Sequence, residues 1–283
     1  EDQLQKLGYF TKLMKNNEGI RENARVIDKI IEFTLGKLIH SNEHDEEFTE
    51  EIEKICAEHG YKIKDGHLIQ LNPDFVFPIV SSRGSQSVVH EALAHLCRDF
   101  SSYYSVERDP LQNFIISRIN HHVISAGDMK EKILIVTPGA GVGGLSHTLA
   151  TTFPKIQVDS IELSALMYIC NLFALEYKHD VKTRPFVQQY SCQTVFDNQL
   201  RSLSADLSKV GHRSNLDPLW GDFTRYSPIS KDYDKIIICS AYFIDTAENM
   251  FEYLSSIEAL KKYCKELHWV NVGPLKYGTK PLV

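Results

Sequence analysis

The chain has 283 residues, of which 43% are hydrophobic and 24% charged, a composition typical of a globular protein that can bury a large core. Its formal net charge of −6 excludes the basic surface expected of a protein that binds nucleic acid or an anionic membrane. The six cysteines include no C-x-x-C pair, so the sequence predicts neither a disulfide framework nor a zinc site. No stretch is long and apolar enough for a membrane span, and the first residues lack the features of a signal peptide. We therefore expect a cytosolic or nuclear protein whose partner is a small molecule.

Residues 1–130 are predicted to form an N-terminal helical region, because apolar residues recur three and four positions apart between charged ones. A polar break around "KDGH" and the segment "LNPDFVFPIVSSRGS" interrupt this pattern, and the two prolines of that segment argue against a central strand. Two helices are predicted next, "SVVHEALAHLCRDF" and "ERDPLQNFIISRINHH". The first of them ends near Arg98, and the second has Pro110 in its first turn, where proline is tolerated.

After Lys132 the pattern changes to apolar strands that alternate with helices. The predicted strands are "KILIVT", "IQVDSIEL", "DKIIICSAYFI" and "ELHWVNVGPL". Strands that are apolar throughout and separated by helices predict a parallel sheet covered on both faces. We therefore predict an α/β fold with a Rossmann-like domain over residues 131–283, interrupted by an inserted excursion over residues 182–217.

A glycine-rich turn, "TPGAGVGG", follows the first predicted strand and leads into a helix, the place where such sheets bind ligands. Gly139, Gly141 and Gly144 fit the dinucleotide spacing G-x-G-x-x-G, whereas Gly139, Gly141 and Gly143 fit the G-x-G-x-G spacing of S-adenosylmethionine-dependent methyltransferases. Glu162 ends the second strand, where an acid accepts hydrogen bonds from ribose hydroxyls. The turn alone indicates a nucleotide-like ligand, and tight packing of strand on helix is the alternative.

Two acids on either side of the third predicted strand are further candidates. Asp222 and Phe223 in "WGDFTRY" are suited to meet an adenine ring, and Asp245 in "YFIDTAEN" follows a strand at its carboxyl end. The alternative for Asp245 is that it caps the following helix.

These segments together resemble the carnosine N-methyltransferase family, also called the N2227-like family. The matching motifs are "CRDFSSYYSVERDP", "VTPGAGVGGLSHTLA", "IELSALMYICN", "GDF", "FIDTAEN" and "VGPLKY", which occur in the family's order between about Val88 and Tyr277. The chain looks like a diverged, fungal-type member. The resemblance implies a class I methyltransferase fold with S-adenosylmethionine as the cofactor.

The resemblance also implies roles for individual residues. Arg98 would bind the donor's carboxylate, and His95 stands where the family has a glutamine that contacts the donor. Asp245 and Tyr277 would bind the substrate. The full set of implied cofactor-binding residues is His95, Arg98, Gly139, Gly141, Gly143, Glu162, Asp222 and Phe223. The chain departs from the family pattern at Phe100, where tryptophan is usual, and at Gly278, where a histidine contacts the dipeptide.

The sequence therefore predicts an N-methyltransferase that acts on an imidazole nitrogen of a histidine-containing dipeptide such as carnosine, forming anserine. Asp245 would orient the imidazole and stabilise its developing positive charge. The alternatives are an NAD-dependent oxidoreductase, and a protein that binds the donor but has lost or changed its substrate activity. We expect no metal, nucleic acid or membrane partner, and the chain is compatible with a homodimer.

Overall fold

The computed structural model describes residues 2–41, 46–58, 60–65, 67–71, 85–123, 131–189, 195–247 and 249–273. They belong to two compact units, one formed by residues 1–94 and 182–203 and the other by residues 95–181 and 204–283. The predicted boundary between residues 130 and 131 does not coincide with this division and stays a prediction.

The α-helices of the described ranges are α1 (Asp2–Lys6), α2 (Tyr9–Ser41), α3 (Glu46–Glu58), α4 (Ser85–Phe100), α5 (Ser105–His122), α6 (Gly144–Thr152), α7 (Ala165–Glu176), α8 (Phe196–Gln199) and α9 (Met250–Ala259). The strands are β1 (Tyr61–Lys64), β2 (His67–Gln70), β3 (Ile133–Pro138), β4 (Gln157–Glu162), β5 (Val181–Thr183), β6 (Leu203–Ala205), β7 (Leu216–Trp220), β8 (Tyr233–Ala241) and β9 (Cys264–Val272). Within the same described ranges, four 3-10 helices cover Ser102–Tyr104, Phe223–Arg225, Ile244–Thr246 and Leu260–Tyr263. None of these helices combines the length and the apolar character needed to cross a membrane.

The first unit contains an antiparallel hairpin that the prediction of a helical region missed. β1 pairs with β2, with Tyr61 opposite Gln70, and the exposure of its side chains alternates along β1. This alternation has the period of two residues that a strand requires, so the polar break around "KDGH" is the turn of a hairpin. Asp65 in this turn has a φ of 53°, the left-handed conformation that aspartate tolerates in turns.

The second unit contains a five-stranded parallel sheet in the order β7-β4-β3-β8-β9. All six residues of β3 are buried, and Ile236, Ile237 and Ile238 in the neighbouring β8 are fully buried. Continuous apolar runs on adjacent strands are expected where helices cover both faces of a parallel sheet. The predicted α/β, Rossmann-like sheet is confirmed, with β7 as an additional strand that begins at the end of the predicted excursion and continues to Trp220.

Candidate active site

A cavity of about 310 Å³ lies at the carboxyl ends of β3 and β8, within the second unit. Three parts of the chain line it. The end of α4 and the start of α5 contribute Arg98 and Glu107, the glycine turn contributes Gly139, and the end of β8 contributes Cys239 and Tyr242. Its volume lies in the range of small-molecule sites, about 300–1,000 Å³. The carboxyl ends of neighbouring parallel strands are also where open α/β sheets bind their ligands.

Three glycines of the turn adopt a left-handed backbone. The φ angles are 61° at Gly139, 59° at Gly141 and 85° at Gly143, which only glycine adopts at little cost. A Cβ on Gly139 would lie 2.4 Å from the ring of Phe243, and one on Gly143 would lie 2.3 Å from Oδ1 of Asn171. The G-x-G-x-G set therefore shares one conformation, and two of its members are also required by close packing.

The fourth glycine has a different task, because Gly144 is the first residue of α6 and lies against Asp99. The backbone N–H of Gly144 donates to Oδ2 of Asp99 at 3.1 Å, and Nε of Arg98 donates to Oδ1 at 3.0 Å. Arg108 completes this corner, since its Nη1 donates to the backbone carbonyls of Asp99 at 3.0 Å and Ser101 at 2.9 Å. The guanidinium thus provides a donor for the Asp99 carbonyl in the last turn of α4, where helical partners are lacking, and a further donor for the Ser101 carbonyl just after the helix. The corner connects the predicted carboxylate-binding residue, Arg98, to the glycine turn.

Glu162, at the end of β4, holds the other side of the same turn. One carboxylate oxygen accepts from the backbone N–H of Gly141 at 2.7 Å and the other from that of Ser164 at 2.7 Å. This places a carboxylate beside the glycine turn, as the ribose-binding prediction requires, and that role stays a prediction.

His95 lies beneath the turn, one helical turn before Arg98 on α4. A Cβ on Gly141 would lie 3.2 Å from Nδ1 of His95, so the imidazole and the turn are in close contact. Burial, together with the nearby Arg98 charge, lowers the pKa of His95 from 6.5 to about 4. The imidazole that contacts the turn is therefore neutral near pH 7.

A chain of buried hydroxyl groups supports the turn from behind. Oγ1 of Thr137 lies 2.7 Å from Oγ of Ser146 and donates to the carbonyl of Asp159 at 3.1 Å. Oγ of Ser160 donates to Ser146 at 2.9 Å and is approached by Nδ2 of Asn171 at 3.5 Å. Thr137 and Ser146 also line the cavity, so this network forms part of its wall.

The two residues predicted to meet the adenine ring differ in their surroundings. Oδ1 of Asp222 accepts from the backbone N–H of Thr224 at 2.8 Å, so this carboxylate caps a 3-10 helix. Phe223 is only 5% exposed, and its ring packs edge-on against Phe243 and Tyr253, with centroids 5.7 and 6.5 Å away. The aromatic ring thus contributes to the core of the domain. Its predicted contact with adenine is untested and stays a prediction.

Two exposed apolar side chains beside Glu162 were missed by the sequence analysis. Leu163 is 66% exposed and Trp220 is 64% exposed. The indole N–H of Trp220 donates to the carbonyl of Leu163 at 3.1 Å, and its ring stacks on Tyr168 with centroids 6.5 Å apart. Their positions in the sequence could have identified them, because Leu163 directly follows the predicted ribose-binding acid and Trp220 directly precedes "GDF".

Asp245 lies in the 3-10 helix that follows β8 and is half-buried. The capping alternative for Asp245 is wrong, because α9 is capped by Asn249, whose Oδ1 accepts from the N–H of Phe251 at 3.1 Å. Asp245 comes three residues after Tyr242 but is not among the described residues that line the cavity. Tyr277 and Gly278 lie outside the described residues.

The arrangement fits the predicted donor in its shape and in its charges. The left-handed glycines bring the turn's backbone to the edge of the cavity, with the N-terminus of α6 beside it. Arg98 offers a planar guanidinium suited to a carboxylate, and Glu162 offers a carboxylate suited to hydroxyl groups. In the described part of the chain, no group of three His, Cys, Asp or Glu side chains is arranged to hold a metal ion.

Comparison with known proteins gives a consistent match. The family model for carnosine N-methyltransferase matches residues 75–283. The carnosine N-methyltransferase of Schizosaccharomyces pombe is 26% identical over 199 residues, covering 67% of this chain and 52% of the relative. That of Rattus norvegicus is 29% identical over 191 residues, covering 65% of this chain and 46% of the relative. The chain thus spans about half the length of the curated relatives it matches.

Among solved structures, an S-adenosylmethionine-dependent methyltransferase from Clostridium acetobutylicum matches with a TM-score of 0.35 and 13% identity, covering 64% of this chain and 56% of that one. The plantazolicin methyltransferase BpumL in complex with SAH matches with a TM-score of 0.32 and 13% identity, covering 65% and 60%. The resemblance carried by the sequence motifs is confirmed by the family model. Because that model matches well over half of the sequence, the chain belongs to the carnosine N-methyltransferase family, whose members are S-adenosylmethionine-dependent methyltransferases.

Proposed function

We propose that this chain transfers a methyl group from S-adenosylmethionine to an imidazole nitrogen of a histidine-containing dipeptide such as carnosine, forming anserine. The observation that carries the proposal is the cavity between the Arg98–Asp99–Arg108 corner, the glycine turn and the end of β8. All of its lining residues fall inside the segment that matches the family model.

The donor, when bound, supplies a methyl group attached to a positively charged sulfur. In this proposal Arg98 binds the carboxylate at the methionine end, where a planar guanidinium can form two parallel hydrogen bonds. Glu162 accepts hydrogen bonds from the ribose hydroxyls, and Asp222 lies on the adenine side. The glycine turn brings its backbone close to the donor without side chains in between. Family membership also favours this donor over a nicotinamide dinucleotide.

The acceptor requires positioning more than activation, because a neutral imidazole is already a nucleophile. Methyl transfer is an in-line displacement, so the protein must align the attacking nitrogen with the methyl carbon and exclude water. We assign Asp245 to the other ring nitrogen, where its carboxylate accepts a hydrogen bond from the N–H group. A carboxylate there orients the ring and stabilises the positive charge that the imidazole gains during the transfer.

A second candidate function is a protein that binds the donor without methylating a dipeptide. It is favoured by Gly278, which replaces the histidine that the family uses to contact the dipeptide. This alternative shares the donor site and differs only in the acceptor.

The test is an assay of the full chain with isotopically labelled S-adenosylmethionine and carnosine, in which mass spectrometry locates the methyl group. Asp245→Asn should lower kcat/KM about 100-fold and leave donor affinity unchanged, whereas Asp197→Asn, at an exposed site on α8, should behave as wild type. Full turnover by Asp245→Asn would show that the assigned role is wrong. Donor binding without methylation of any imidazole compound would support the second candidate.

A further inference from the structure

Tyr242, directly after β8, has an unusual backbone for a bulky residue. Its φ is 53°, in the left-handed region. Among the described non-glycine residues only Asp65 shares this conformation, in a hairpin turn where it is expected. A bulky side chain in this region signals strain, and such strain concentrates at ligand sites when the surrounding structure maintains it.

The left-handed backbone determines where the tyrosine side chain lies. Cys239 and Ala241 both line the cavity, as expected for alternate residues on one face of a strand. The same alternation would direct residue 242 to the opposite face. Tyr242 nevertheless lines the cavity and is 52% exposed, because the change of backbone conformation breaks the alternation.

The neighbouring strand maintains the strained conformation. The backbone N–H of Tyr242 donates to the carbonyl of Val272 at 2.9 Å. A Cβ on Gly273 would lie 2.9 Å from the nitrogen of Tyr242 and 3.1 Å from its Cα, so only glycine fits beside it. The next residue, Phe243, is 7% exposed and packs under Gly139. The bend at Tyr242 therefore places the ring of Phe243 beneath the glycine turn and the ring of Tyr242 at the cavity.

We infer that Tyr242 is a donor-binding residue whose ring faces the positively charged sulfur of S-adenosylmethionine, an inference that rests on the proposed function. A cation is attracted to the face of an aromatic ring. The demethylated product, S-adenosylhomocysteine, has a neutral sulfur and lacks this attraction. Tyr242 therefore favours the donor over the product, which helps the spent cofactor to leave.

A different residue could also attract the sulfonium, namely Glu107, whose carboxylate reaches the same cavity from α5. The two explanations differ in what they require. Attraction by the ring needs an aromatic side chain at position 242 and no charge, whereas attraction by the carboxylate is lost in Glu107→Gln.

The test is to measure by calorimetry the Kd of the full chain for S-adenosylmethionine and for S-adenosylhomocysteine. Tyr242→Phe keeps the ring and should keep the wild-type ratio of the two Kd values, as should Glu107→Gln. Tyr242→Asn removes the ring while the backbone stays favourable, because asparagine tolerates the left-handed region. It should weaken donor binding about 5- to 20-fold and change product binding less than about twofold. Tyr242→Gly is the second variant without a ring, and circular dichroism and thermal midpoints confirm that both are folded.

The outcomes separate this inference from the proposed function. Equal weakening of donor and product in the variants without a ring, or no weakening of either, would refute the inference alone. A loss of selectivity in Glu107→Gln with none in Tyr242→Asn would assign the sulfonium to the carboxylate instead. Wild-type protein that binds neither ligand would refute the donor assignment itself.

Discussion

His95 should contribute to the pH dependence of this protein's stability, and His95→Gln should remove that contribution. The pKa of His95 is lowered from 6.5 to about 4, mainly by burial. The unfolded chain therefore takes up a proton at this side chain at a higher pH than the folded chain does. The contribution of the neutral His95 to the free energy of unfolding is fully present above about pH 6.5 and is lost as the pH falls toward 4.

The magnitude follows from the two pKa values. One pKa unit corresponds to about 1.4 kcal/mol, so the whole effect, reached below pH 4, is about 3 kcal/mol. At pH 5 the histidine is mostly protonated in the unfolded chain and mostly neutral in the folded one, and the loss is about 2 kcal/mol. At pH 7.5 both states are neutral and the loss is close to zero.

Urea unfolding at pH 5 and pH 7.5 measures this difference directly. When the pH is lowered from 7.5 to 5, the free energy of unfolding of wild type should fall by about 2 kcal/mol more than that of His95→Gln. His179→Gln, at an exposed site, should lose as much as wild type. Equal losses for wild type and His95→Gln would refute the reasoning. Glutamine is the residue that the family resemblance implies here, so the variant should also bind the donor at least as tightly as wild type.

Two further predictions concern stability. Gly143→Ala should lower the free energy of unfolding by about 2–4 kcal/mol, because it places a Cβ on a left-handed backbone and against a buried amide. Gly221→Ala, where no atom lies within 4 Å of the added Cβ, is the matched control in the same denaturant titration, and equal effects would contradict the packing argument. Lys235→Met should lower the free energy of unfolding by about 2–3 kcal/mol, because the buried Nζ of Lys235 loses its ion pair with the partly exposed Glu131 at 2.8 Å and its hydrogen bond to the carbonyl of Val123 at 3.0 Å. The exposed Lys265→Met should leave the thermal midpoint almost unchanged, and a similar shift in both lysine variants would show that burial is not the cause.

The parts of the fold with an uninterrupted local pattern could be predicted from the sequence. β3 and the Ile236–Cys239 part of β8 are continuous runs of buried apolar residues, and the four glycines that follow β3 mark the turn. Glu162 could be located because it ends the next strand along the chain. In each case the physical constraint, burial or a left-handed backbone, acts on consecutive residues.

β7 was missed because its sequence lacks such a pattern. "LDPLW" is short and contains Pro218, which cannot donate to a ladder of backbone hydrogen bonds. The structure accommodates it because β7 lies at the edge of the sheet, with β4 as its one neighbour there. The same sequence in a central position would have lost a hydrogen bond.

Contacts between residues that are far apart in the sequence also could not be predicted. Asp99 and Gly144 are 45 residues apart, and neither sequence neighbourhood reveals that the carboxylate accepts from the first N–H of α6. Arg108 is next to a motif glutamate, but its hydrogen bonds to the carbonyls of Asp99 and Ser101 depend on how α4 and α5 meet. The burial of Phe223 likewise depends on aromatic partners from later elements.

The hydroxyl chain of Thr137, Ser146 and Ser160 gives the cavity wall a fixed hydrogen-bond direction. The amide Nδ2 of Asn171 donates at one end and the carbonyl of Asp159 accepts at the other, so each hydroxyl donates toward Asp159. The wall behind the glycine turn therefore keeps one orientation of its hydroxyl dipoles. Because hydroxyl groups do not titrate near neutral pH, this orientation persists across the pH range in which an imidazole changes its charge.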